Sequence, residues 1–330
     1  MNAPAVLVGD IGGTNARLSV AEGDRQSTPI VLRCSNFSSL EQLLDHAIVA
    51  FGVKIGEACI GIAGPVIGDE VNITNRGWTF SIEGTRKTLR LDRFVVVNDF
   101  AALAAALPTL DANSLARIGG GSLRPSMPQL IIGPGTGLGM AVVLHGDSTK
   151  PLILSGEGGY VTLPVHAERE IAAWQVLRAR HGRVSAERVL CGSGIVELHK
   201  ALAAVDATDT ASGISSYDIV ERGVADAFSR ERETLEMFLG LLGDVCGNAA
   251  LTCGARGGIF LNGELLIQMA PLISGSSLRE RLEGKGRGRP FLADVGTFII
   301  TDRFAALKGC ARILAGNEHV SDRLGGDHAA

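Results

Sequence analysis

Short apolar runs broken by glycine-rich turns dominate the first part of the chain, and apolar positions at helical spacing take over further on. Val6–Val8 and Leu18–Val20 flank a turn of Asp, Gly and Thr, the pattern of two strands in a β-hairpin. Ile30–Cys34 reads as a third strand. Leu40, Leu43, Leu44, Ala47, Ile48 and Phe51 recur at helical spacing behind Ser39, which predicts a capped helix to Phe51. Ala58–Ala63 is a buried strand stopped by Gly64-Pro65, and Val66–Thr74 a further hairpin. Glu83–Leu89 is a short helix, and Phe94–Val97 a strand ending at Asn98-Asp99. An alanine-rich helix follows from about Phe100 to Leu107, stopped by Pro108.

The stretch Asp111–Pro128 is polar and Gly-rich with two prolines, a candidate junction between lobes. After it the opening logic repeats: strand Gln129–Ile132, glycine-rich turn Gly133–Gly139, strand Met140–Leu144. Such an echo is expected if two related lobes each supply one phosphate-facing hairpin. Helices are predicted over Glu168–His181, Ser193–Ala204, Tyr217–Ala227 and Arg230–Thr252, with a polar loop at Ala203–Ser216. Gly258–Leu261 is a buried strand leading to Asn262-Gly263. Thr297–Ile300 is a last strand and Arg303–Leu314 a last helix, and the polar residues beyond Ala315 are expected to fray.

At 330 residues the chain exceeds the size at which one core stops growing, so two lobes are expected. Scarce aromatics and 43 glycines favour an α/β protein with tight strand-to-helix turns over an aromatic-packed sandwich. A formal net charge of −4 argues against a nucleic-acid partner. The one basic cluster, Lys285–Arg289, reads as a solvated loop or an anion contact. No apolar run approaches the roughly 18 residues needed to span a bilayer, and Met1–Ala5 lacks the pattern of a secretory signal. The six cysteines are far apart without a CxxC, which points to small core residues in a reducing cytoplasm.

Candidate chemistry gathers at strand ends. Asp10, Gly12, Gly13, Thr14 and Arg17 crowd the tip of the first hairpin. Glycines let backbone N–H groups close on an anion, and one acid beside them suits a hydrated Mg²⁺; an ordinary tight hairpin explains the same glycines. Asn98-Asp99 sits between a strand and a helix, where open α/β sheets bind ligands, although a helix cap also accounts for it. Glu157, flanked by glycines, has no obvious helix to serve, whereas Glu187 also reads as a capping or surface acid. GxxxxGK[ST], HExxH and GxSxG are absent, and neither glycine turn fits G-x-G-x-x-G before a helix.

Asp10-Ile-Gly-Gly-Thr-Asn-Ala-Arg17, Thr74-Asn75, Asn98-Asp-Phe100, Gly133-Pro-Gly-Thr-Gly-Leu-Gly139, Glu157-Gly-Gly159, Val184–Val189 and Lys285-Gly-Arg287 occur in that order. Together, over residues 6 to about 314, they resemble the bacterial glucokinases of the hexokinase/actin-like superfamily. The resemblance implies a two-lobed, actin-like (ribonuclease H-like) α/β fold with an interdomain cleft. Residues 1–108 plus 302–330 would form the small lobe and 109–301 the large one. It implies transfer of the ATP γ-phosphate to the 6-hydroxyl of glucose, with Asp99 as base and Asn98, Asp99, Glu157, Tyr160 and Glu187 at the sugar. Gly9, Asp10, Ile11, Gly12, Gly13 and Thr14, with Gly135, Thr136 and Gly137, would hold the nucleotide, and Asp10 a Mg²⁺ through water. A cytoplasmic homodimer is carried from the family. Two departures stand out. Tyr160 occupies a position where the family usually has His, and Glu264 follows Asn262-Gly263 where the family usually shows two adjacent glycines beside the adenine. On these residues a kinase for another hexose or donor, or a non-catalytic glucose sensor, stays open.

Overall fold

The computed structural model describes residues 5–23, 25–73, 77–145, 150–316 and 319–320. In chain order the opening elements are β1 (Val6–Ile11), β2 (Asn15–Glu22), β3 (Arg25–Gln26), β4 (Ile30–Arg33), α1 (Leu40–Phe51), β5 (Glu57–Ile62), β6 (Glu70–Ile73), β7 (Trp78–Ser81), α2 (Ile82–Thr88), β8 (Arg93–Asn98) and α3 (Asp99–Ala106). Next come β9 (Leu115–Gly119), β10 (Gln129–Pro134), β11 (Leu138–Leu144), β12 (Leu152–Gly156), α4 (Glu168–His181), α5 (Ala186–Val189), α6 (Gly192–Val205), α7 (Ser216–Ala225) and α8 (Arg230–Cys253). The chain continues with β13 (Gly258–Leu261), α9 (Glu264–Gln268), α10 (Ala270–Ile273), α11 (Leu278–Glu283), α12 (Arg289–Ala293), β14 (Thr297–Ile300), α13 (Ala305–Leu314) and β15 (His319–Val320). Two compact units emerge: Met1–Asp111 with Val143–Ser155 and Asp302–Ala330, and Ala112–Val142 with Gly156–Thr301. Relative to the boundaries expected from the sequence, Val143–Ser155 groups with the first unit instead of the second.

The first unit is built on a sheet of order β3-β2-β1-β5-β8, with β4 also beside β2. The opening hairpin pairs β1 and β2 antiparallel with Asp10 opposite Arg17. β1, β5 and β8 run parallel in one register, Asp10 beside Gly61 and Gly61 beside Val97, so their carboxyl ends line up at one sheet edge. Leu7, Ile11, Leu18, Ile60, Ile62 and Val96 bury one face of this sheet with Leu40, Leu43 and Leu44 of α1. Ser39 caps α1 by accepting the Gln42 N–H at 3.3 Å, and Gly52 ends the helix in the left-handed region at φ 65°. α3 and α13 pack together in this unit, with Gly309 where any side chain would run into the Ala102 carbonyl.

The second unit holds the strand run β11-β10-β13-β14-β9, in which β10, β13 and β14 are parallel and β9 antiparallel to β14. Its core gathers Phe238, Leu239 and Leu242 of α8 with Leu198 and Leu202 of α6 and the strand residues Leu130, Ile259 and Leu261. Among the described residues α8 alone is long and apolar enough to cross a membrane, and its apolar window is 78% buried inside the protein, as for a core helix.

Several expectations change. The hairpin expected within Val66–Thr74 instead pairs Glu70–Ile73 with Trp78–Ser81, and Thr74-Asn75 lies outside the described residues. The expected junction contains β9, whose Ile118 packs on the core while its other positions are partly or fully exposed; a five-residue strand inside a polar, glycine-rich stretch reads as loop. Helices α5 and α9–α12 are four to six residues each, too short to show a periodicity. The predicted helix to Ala227 ends at Ala225, because Asp226 turns to an extended backbone.

Candidate active site

The first unit brings two of the predicted groups to one edge. Asp10 sits next to the last residue of β1 and Asn98 ends β8; between them on β5, Gly61 pairs with Asp10 and the following Ile62 with Asn98. Gly61 went unnoticed in the sequence. A Cβ there would lie 3.4 Å from the Asp99 Cα and 3.2 Å from the Ala102 Cβ, so its lack of side chain lets the start of α3 close on the sheet. Asp10 accepts from the Arg17 guanidinium at 3.1 Å, directly across the hairpin. Burial raises its pKa above 3.8, and the Arg17 charge and hydrogen bond oppose that rise.

Within the predicted nucleotide turn the structure separates strand from tip. Ile11 is fully buried, and Gly9 is buried with a would-be Cβ 3.0 Å from the Ile60 side chain. Both are sheet residues, so their place in the motif is explained by packing. Gly12, Gly13 and Thr14 form the tip, with the Gly12 N–H donating to the Asn15 carbonyl at 3.0 Å and the Cys34 N–H to the Thr14 carbonyl at 3.0 Å. Asn98 is a true helix cap: its Oδ1 accepts from Phe100 N at 2.9 Å and Ala101 N at 3.3 Å, and its Nδ2 donates to the Gly64 carbonyl at 3.1 Å. One Nδ2 proton is left for a ligand. Asp99 opens α3, where the helix N-terminus favours negative charge, and its Oδ1 accepts the Phe100 N–H at 3.0 Å.

The second unit assembles the other set. Gly135 and Thr136 are exposed at the turn between β10 and β11, and the Gly135 N–H donates to the Gly137 carbonyl at 2.7 Å. The N-terminus of the 14-residue α6 meets this turn: Gly192 N–H donates to the Gly135 carbonyl at 3.0 Å, and the Cys191 sulfur accepts from Gly194 N at 3.3 Å. A helix N-terminus beside a glycine turn is suited to an anion. Glu187 reaches the same turn from α5, accepting the Leu138 N–H at 2.9 Å. Gly158–Tyr160 forms a short 3-10 turn behind Glu157, which is exposed. Tyr160 is 56% exposed, and its hydroxyl pKa is raised by the negative charge of Glu187, then by burial, then by the charge of Glu157. Glu157, Tyr160 and Glu187 therefore form one electrostatic neighbourhood. Glu264 starts α9 immediately after Gly263, whose own backbone abuts Pro134 of the turn strand.

Of the two readings of Lys285, solvated loop or anion contact, its contact with a protein carboxylate fits the second. Its ammonium pairs with Asp244 at 2.7 Å, in a cluster where Arg281 bonds both Asp244 and Glu170. The charges cancel inside the protein, and the cluster ties α4, α8 and α11 together. Among the described residues no group of three or more His, Cys, Asp or Glu is placed to hold a metal ion. Asp10 offers a single carboxylate beside a glycine turn. That donor set fits Mg²⁺, which keeps several waters and takes one or two carboxylates plus phosphate oxygens in place of an all-protein cage.

Comparison with known proteins fits these pieces. The family model described as glucokinase matches residues 7–317. The chain belongs to the glucokinase family. It is 43% identical to a glucokinase of Chromobacterium violaceum over 96% of this chain and 90% of that relative. It is 38% identical to a bifunctional protein glk of Paraburkholderia xenovorans over 98% of this chain but only 50% of that relative's length. A solved glucokinase from an Antarctic psychrotroph superposes with a TM-score of 0.83 at 31% identity, covering 94% of this chain and 99% of that one. The α/β architecture is accordingly the actin-like ATPase fold of the glucokinases.

Proposed function

We propose that this chain transfers the γ-phosphate of ATP to the 6-hydroxyl of D-glucose, giving D-glucose 6-phosphate and ADP. The observation that carries the reading is the alignment of Asp10 and Asn98-Asp99 at the carboxyl edge of three parallel strands, in a member of the glucokinase family. Ligands bind at that edge in open α/β sheets. Asp99 is the base: it takes the O6 proton as that oxygen attacks the γ-phosphorus, and the bond to the ADP oxygen breaks. Asn98 offers its remaining Nδ2 proton to the sugar, while Glu157, Glu187 and the Tyr160 hydroxyl meet a ring of hydroxyl donors.

The turn at Gly12–Thr14 and the turn at Gly135–Gly137, with the α6 N-terminus, are each suited to phosphate oxygens. Asp10 would hold Mg²⁺ through water; the cation supplies charge neutralisation on the phosphate oxygens. A cytoplasmic homodimer follows from the family alone, and sedimentation velocity checks the assembly.

A coupled assay with glucose, Mg²⁺ and ATP tests the reaction, and absence of glucose 6-phosphate would overturn it. Crossing a panel of hexoses with ATP, ADP and polyphosphate checks acceptor and donor. Asp99→Asn is expected to lower kcat by about 10³-fold while the glucose Kd stays within a few-fold. Unchanged turnover would remove Asp99 from the base role.

A further inference from the structure

Gly137 lies in a turn whose pattern suggests a phosphate cradle, yet its surroundings point to the sugar. A Cβ built on Gly137 would run into the Glu187 carboxylate oxygen and lie 3.0 Å from its Cδ. Gly135, two residues earlier in the same turn, has nothing within 4 Å of a would-be Cβ. Gly159, beside Tyr160, also closes on Glu187, with a would-be Cβ 3.3 Å from the Glu187 Cβ. The Leu138 N–H fixes the carboxylate at 2.9 Å. Neither Gly137 nor Gly159 has a positive φ, so backbone conformation does not demand glycine at either position. At Gly137 the missing side chain is explained by the space that Glu187 occupies, whereas at Gly159 the Leu138 carbonyl, 2.5 Å from a would-be Cβ, excludes one first.

We propose that Gly137 is a sugar-positioning residue. Its bare backbone lets the Glu187 carboxylate lie against the turn, where the Leu138 amide holds one oxygen and aims the group for a sugar hydroxyl. This rests on the reading of Glu187 as a sugar ligand. One carboxylate then serves two neighbours at once: it is bonded to the nucleotide-side turn and it faces the Tyr160 neighbourhood. Two glycines of one turn thus differ in cause, with open space at Gly135 and room for a protein carboxylate at Gly137.

The test measures glucose affinity by calorimetry without nucleotide, and KM for both substrates, in Gly137→Ala, Gly135→Ala, Glu187→Ala and Glu187→Asp, and in Gly137→Ala combined with Glu187→Asp. Gly137→Ala displaces only the far end of a flexible side chain, so it should melt within a few degrees of wild type. It is expected to weaken glucose binding about tenfold with less than threefold change in the KM for ATP. Gly135→Ala should do the reverse. Glu187→Asp withdraws the carboxylate from Gly137, and in that background the alanine should cost less than twofold. Independently of any glycine variant, Glu187→Ala should speed hydrogen exchange of the Leu138 amide about tenfold. A Gly137→Ala enzyme with normal glucose affinity, a shift confined to ATP, an effect that persists beside Glu187→Asp, or unchanged Leu138 exchange would each overturn the proposal. If Glu187→Ala binds glucose normally, the sugar role of Glu187 falls and this proposal with it. If Glu187→Ala weakens glucose while Gly137→Ala does not, only the role of Gly137 falls.

Discussion

The two glycine turns have the same outline, strand then glycines and threonine then strand, but they differ in how far their supports reach along the chain. The first is braced largely from within its own hairpin, with Cys34 as an outside neighbour bonded to Thr14 and Gly12. Asp10 and Arg17 face each other across its own two strands, and Gly12 bonds Asn15 within the tip. The second is held from outside. Its Leu138 amide is taken by Glu187, 49 residues along the chain, and its Gly135 carbonyl by the start of α6. A local turn can present one acid to one ligand, whereas a turn clasped by distant elements can join two ligands' sites. On the proposed reading, the same glycines would serve metal and phosphate in one place and sugar and phosphate in the other.

The sharpest way to break this contrast is to remove one acid at each turn. Asp10→Asn is expected to lower kcat by 10²-fold or more while calorimetry finds the glucose Kd within about threefold, because that acid serves the phosphate end. Glucose binding falling as far as turnover would erase the distinction between the turns.

A smaller effect is expected for Arg17→Ala, which leaves the Asp10 charge without its cation and should cost about 1–3 kcal/mol at pH 7 in chemical denaturation. Its pH dependence has a definite sign. Asp10 holds its proton more tightly folded than unfolded, so its contribution to stability is lost as pH rises above 3.8 through the raised folded value. Removing Arg17 raises that value further, so the variant should lose more stability than wild type between pH 4 and neutrality. A uniform offset at every pH would show that Arg17 acts by packing alone.

The smallest effect concerns Cys34, which is fully buried, donates its N–H to Thr14 and reaches the Gly12 carbonyl with its sulfur at 3.5 Å. Cys34→Ala should cost about 1 kcal/mol, read as a small fall in Tm, with kinetic constants within twofold. A marked rise in the KM for ATP would instead mean that the Cys34 sulfur helps to shape the first turn, beyond the backbone bond its N–H makes to Thr14.

Much of this molecule was legible along the chain because its signals are local. The hairpin with Asp10 and Arg17 spans eight residues, the Ser39 cap precedes a clean helical period, and Asn98-Asp99 follows an unbroken apolar strand. The two readings of Asn98 proved compatible, since the cap uses its oxygen and one amide proton. Between the two readings of Lys285, solvated loop or anion contact, only the fold could choose, because the anion is Asp244 of α8, 41 residues earlier in the chain. Gly61 gave no signal at all, since a glycine inside an apolar run reads as strand until the helix above it is seen.

By itself the sequence determined the longer strands and helices, where the acids sit relative to strand ends, and membership in a kinase family, because these depend on short-range pattern and on ordered motifs. Only the tertiary structure decided which groups meet. Parallel register carried Asp10 and Asn98 to one edge, packing buried Gly9 and Ile11 in the sheet, and the fold of the second unit brought Glu187 onto Gly137. Contacts between residues far apart in the chain follow from how apolar faces stack, and no local pattern encodes them.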